Sequence, residues 1–152
     1  MFTKIRICFF LVLVFIVSFS LQAETDETHS FPPHFILAAS FMGDIEMVNV
    51  LLAAGVDKDV RTAEGDTALH LAMFQRNHAV TRLLLNHGFN PNAVNNNGET
   101  PLHRAVLANN EDGARLLLQF NADRNIRNLA GRTPLQEANR HEDRRRMIFV
   151  LR

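Results

Sequence analysis

Gly65, Gly98 and Gly131 lie 33 residues apart, and each opens the same phrase. The phrase runs Gly65-Asp66-Thr67-Ala68-Leu69-His70, then Gly98-Glu99-Thr100-Pro101-Leu102-His103, then Gly131-Arg132-Thr133-Pro134-Leu135-Gln136. The same spacing joins Ala39, Ala72, Ala105 and Ala138, and it joins Leu51, Leu84, Leu117 and Val150. Leu52, Leu85, Leu118 and Leu151 repeat beside them. A fixed phrase at a fixed period marks a stacked array, in which each unit buries its apolar side only against its neighbours.

The residues of one period account for its local structure. A glycine after a short polar run permits a positive φ in a tight turn. Thr67, Thr100 and Thr133 are placed to cap the helix that follows, and proline suits a first helical turn. Leu69 and Ala72 then share a helix face, with alanine leaving room for close packing. A second helix starts near Asn77 or Asn110, both good N-caps. It ends in Leu83-Leu84-Leu85 or Leu116-Leu117-Leu118, before Gly88 or Asn121, residues that tolerate a left-handed cap. Each helix spans about two to three turns, too short to persist alone, so stacking must supply the stability.

The period and phrase resemble the ankyrin repeat. Its Thr-Pro-Leu-His signature is complete at Thr100–His103. Ala68 replaces the proline in the copy before it, and Gln136 replaces the histidine in the copy after. The resemblance implies an all-α solenoid of about four helix-turn-helix units joined by β-turn or hairpin loops. We place an N-terminal cap unit at residues 31–61, complete repeats at 62–94 and 95–127, and a C-terminal cap unit at 128–152. The resemblance also implies that His70 and His103 are structural, hydrogen-bonding turn backbone between units through both ring nitrogens.

Residues 1–23 read as a separate module. Lys4 and Arg6 precede an unbroken apolar run, Ile7 to Val17, and Ser18 to Ala23 supply small residues. This is the layout of a secretory signal peptide. The run is about half of what a spanning helix needs. Cleavage after Ser20 fits the small-x-small rule better than cleavage after Ala23, and an uncleaved anchor is the alternative. Residues 24–30 read as a flexible polar leader. The one cysteine, Cys8, lies inside the leader module, so the mature chain has neither thiol nor disulfide. Together these features predict export, to a bacterial periplasm or beyond the cell.

Charge narrows the partner class. The whole chain has 16 basic and 16 acidic residues. Removal of Lys4 and Arg6 leaves 14 against 16, a net charge of −2. That balance argues against a nucleic-acid or anionic-membrane binder and leaves a protein as the expected partner, with the module itself a monomer.

By register, the groove that the resemblance implies carries Phe41, Phe74 and Leu107, with Arg140 as the fourth copy. Met42 and Gln75 stand beside them. An exposed apolar row marks a contact surface. The same pattern also fits side chains packed between units, so exposure decides between the two. Glu64, Asp66, Asn97, Glu99 and Arg132 form a polar rim at the turn tips, running from acidic to basic along the array. Solvation alone also makes turn tips polar. Arg144, Arg145 and Arg146 read as a solvated terminal face.

Chemistry has little support in this chain. No nucleophile elbow or phosphate-binding glycine loop occurs, because the glycines follow the repeat. His29 and His34 are a weak metal pair without carboxylate or thiolate support. No catalytic residue, metal or cofactor is expected. The leading expectation is an exported, non-catalytic protein-interaction module, of a type thought to support or regulate a periplasmic enzyme. An inhibitor or immunity-type protein, and a secreted effector acting on a host protein, are the alternatives.

Overall fold

The computed structural model describes residues 31–140 and 145–152, with backbone alone at residue 145. The expected signal peptide and leader, residues 1–30, and Arg144 lie outside the described residues.

The described chain is helical with no strands, arranged as four pairs of helices. The inner helices are α1 (Phe35–Met42), α3 (Ala68–Phe74), α5 (Pro101–Leu107) and α7 (Pro134–Ala138). The outer helices are α2 (Ile45–Ala53), α4 (His78–Asn86), α6 (Glu111–Gln119) and α8 (Arg145–Leu151). Each inner helix stacks on the next inner helix and pairs with the outer helix that follows it. The inner row is the more closely packed one through the first three units, which bends the array toward the inner helices.

Side chains fix the helix boundaries. Asp44, Asn77 and Asn110 cap the outer helices: their side-chain oxygens accept from Met47, Val80 and Gly113 N–H at 3.0, 3.1 and 2.9 Å. This satisfies donors that a helix start otherwise leaves without partners. Capping boxes open α3, α5 and α7, with Thr67, Thr100 and Thr133 paired to His70, His103 and Gln136. At the other end of the outer helices, Gly88 and Asn121 adopt φ of 79° and 61°. Asn121 thus takes the left-handed cap that its register predicts.

One turn departs from what the residues alone foretell. Between inner and outer helices the register Gly43, Arg76, Asn109 is left-handed throughout, with φ of 75°, 57° and 51°. Arginine is a costly residue for that backbone. Its guanidinium offsets the cost by reaching the next unit, where Nε donates to the Ala108 carbonyl at 2.9 Å.

The core is a column of leucines and alanines. Leu51, Leu84 and Leu117 are fully buried on the outer helices, and Ala39, Ala72, Ala105 and Ala138 are buried on the inner ones. In the last unit the column shifts by one residue. Leu151 is fully buried, whereas Val150 is only half-buried. Arg124 closes that end, donating to the Leu151 and Arg152 carbonyls at 3.3 and 2.9 Å.

Candidate partner-binding groove

The groove is built on hairpin turns that stack like the helices. Thr62 N–H donates to the Asp66 carbonyl at 2.9 Å, Asn95 to Glu99 at 3.0 Å, and Asn128 to Arg132 at 2.9 Å. Successive hairpins are then joined: Asn96 N–H donates to the Glu64 carbonyl at 3.0 Å, and Leu129 N–H to the Asn97 carbonyl at 2.9 Å. The glycines permit this approach. A Cβ on Gly65 or Gly98 would meet backbone nitrogen of Asn96 or Leu129 at 2.8 or 2.9 Å, and both glycines have positive φ.

The histidines bolt the hairpins to the helices. His70 Nδ1 accepts from Thr67 N–H at 3.1 Å, and its Nε2–H donates to the Glu99 carbonyl of the next unit at 2.9 Å. His103 repeats this, accepting from Thr100 N–H at 3.2 Å and donating to the Arg132 carbonyl at 3.0 Å. Those partners assign the neutral Nε2–H tautomer to both rings. In the last unit Gln136 Oε1 keeps the helix-start bond, accepting from Thr133 N–H at 3.0 Å.

Burial pushes both histidines below their ordinary value of 6.5. The carbonyl partners and nearby carboxylates oppose that shift without reversing it. In the window below 6.5 the unfolded chain therefore binds more protons than the folded one, and stability rises with pH there. The melting temperature, followed by circular dichroism, should fall as pH drops from about 7 to 5. A His70→Gln, His103→Gln variant should show a shallower pH slope, since glutamine at residue 136 already fills the same position. An equal slope in both proteins would assign the pH sensitivity to other groups.

Above this scaffold lie the residues expected to meet a partner. Phe41, Met42 and Phe74 are 44%, 74% and 56% exposed. Leu107, the third residue of the row, is half-buried, so the row narrows toward the third unit. Gln75, Glu64, Asn97 and Arg140 are exposed.

Two rim assignments need correction. Asp66 is only 8% exposed. Its carboxylate accepts from Asn95 Nδ2 at 2.8 Å and from Arg104 at 2.9 Å. Glu99 is half-buried and turns to the same arginine, 3.4 Å from its Nε. Both face inward because Arg104, on α5, draws the carboxylates of two successive hairpins to itself. Arg132 is half-buried and pairs with Glu137, which Arg140 also approaches at 3.5 Å.

Arg104 and Asn95 are central to this network, and neither stands out in the repeated phrase. A signal exists for each. Arg104 shares its register with Ala38 and Leu71, and a charge on an otherwise apolar inner face calls for a partner. Asn95 aligns with Thr62 and Asn128. All three side chains accept backbone N–H within their own hairpin. The rim also carries apolar residues, Leu129 above all, which is 79% exposed.

Among the described residues, no three His, Cys, Asp or Glu side chains cluster as a metal site, and no helix is long and apolar enough to cross a membrane. His34 lies edge-on to Phe35, with ring centroids 5.2 Å apart. His29 lies outside the described residues.

No curated protein matches the chain. The family model for ankyrin repeats in three copies matches residues 35–128. With its stacked helix pairs, hairpin ladder and histidine bolts, the chain belongs to the ankyrin-repeat family and carries its kind of protein-interaction module.

Proposed function

We propose that this protein is an exported, non-catalytic module that holds a protein partner in the inner-helix groove and against the hairpin tips. There it supports or regulates an enzyme of the periplasm or the secreted space. The observation that carries this reading is the exposure of Phe41, Met42 and Phe74 side by side on the inner-helix row. Large apolar side chains left in water on adjacent units favour association, and Phe and Met are enriched at interface centres. Export is supported by Lys4 and Arg6 ahead of the apolar run Ile7 to Val17.

The test is capture from native envelope extract by the parent protein and by Phe41→Asp and Phe74→Asp variants. Circular dichroism checks that each variant folds. A partner held by the parent should bind the variants about 30-fold more weakly, the scale of an interface hot spot. Equal capture would move the contact off the groove. N-terminal sequencing of the exported chain should begin just after Ser20 or Ala23, and an intact residue 1 would overturn export by cleavage.

A further inference from the structure

The groove changes chemistry along its length. Units one and two present Ala38, Phe41, Met42, Leu71 and Phe74, all apolar or partly apolar and at least partly open. Units three and four present charges held in two clusters. Asp66 and Glu99 share Arg104, which leaves one negative charge in surplus. Glu137 is shared by Arg132 and Arg140, which leaves one positive charge in surplus. The two surpluses are not equally accessible. The side chains of the first cluster are 11–22% exposed, whereas Arg132 and Arg140 are 35% and 57% exposed. A ligand lying along the groove therefore meets an apolar floor at one end and an accessible cation at the other.

The pitch of the array limits what fits. Packed helices step by about 8–10 Å, so Phe41, Phe74, Leu107 and Arg140 recur at about that interval. An α-helix returns the same face after seven residues, about 10.5 Å along its axis. A strand returns the same face about every 6.6 Å, and multiples of that step miss the unit spacing.

Resting on the groove reading above, we propose that the partner presents an amphipathic helix. Its large apolar side chains sit at heptad spacing over Phe41, Phe74 and Leu107, and an acidic side chain one heptad further on meets Arg140. The charge fixes the direction of the helix as well as its register, because reversal would set the carboxylate over the phenylalanines.

Fluorescence anisotropy with three labelled synthetic helices tests this against protein purified from expression of the full sequence. The first carries leucine at i, i+7 and i+14 and glutamate at i+21. The second replaces that glutamate by lysine. The third has the composition of the first with its leucines out of heptad register. The first should bind at least about tenfold more tightly than either other. Arg140→Glu should invert the preference between the first two, and Arg140→Gln should abolish it, with folding checked by circular dichroism. Equal binding of the first two by the parent, or no inversion in Arg140→Glu, would overturn the acidic end. Binding of none of the three would overturn the helix. In each case the groove reading still stands or falls by the Phe74→Asp capture experiment.

Discussion

Leu84→Ala should cost about 2–5 kcal/mol of folding free energy, the range for truncating a fully buried leucine that leaves a cavity. Leu84 is completely buried in the middle of α4, between Leu51 and Leu117, which are buried as fully. The effect should be severe in an array of this kind, because each unit is held only by its neighbours. A cavity in the second unit weakens its contacts to both sides and removes the bridge between the first and third. Arg82→Ala on the exposed face of the same helix should change stability by less than about 0.5 kcal/mol. Denaturant unfolding followed by circular dichroism gives the comparison, since the chain has no Trp or Tyr for fluorescence. Equal midpoints for the two variants would contradict the leucine column as the core.

Gly98→Ala should destabilise the protein more than Gly131→Ala. Both glycines have positive φ, 69° and 71°, and an L-residue there costs about 1–2 kcal/mol. Only Gly98 carries a second cost. Its Cβ would stand 2.9 Å from Leu129 N, a backbone atom fixed by its bond to the Asn97 carbonyl, whereas a Cβ on Gly131 would meet nothing within 4 Å. The difference between the two variants therefore isolates the stacking of one hairpin on the next. Equal losses would mean that the hairpins stack loosely enough to move apart.

Much of the fold is legible in the residues, because the same local rules recur at every period. The N-cap asparagines, the capping threonines and the left-handed Asn121 each follow from what one residue can do with its own backbone. The buried leucines follow from register. The candidate groove was less legible. Pattern alone places Phe41, Phe74 and Leu107 in one row, but it cannot tell an open residue from a packed one. The outcome is graded, with two phenylalanines open and the leucine half-covered. Asp66 and Glu99 were misread as rim residues because their environment is set by Arg104. That arginine lies 38 positions from Asp66 and belongs to the next unit. A turn residue looks solvated until the side chain arriving from elsewhere is known. Arg76 shows the same limit from the other side. Its left-handed backbone is sustained by a carbonyl 32 residues away, and no local rule predicts that an arginine should be there.

The separations of the bonds that link units have a mechanical consequence. The histidine bolts join residues 29 apart, Arg76 reaches 32 positions ahead, and Asn110 reaches back 37 to the Met73 carbonyl. Each ties a unit only to the next one. Tension applied between the two ends of the array is thus borne by one interface after another. The molecule should lengthen under load in steps of single units, like a chain of clasps opening in turn, and re-form in the same increments when the load is released.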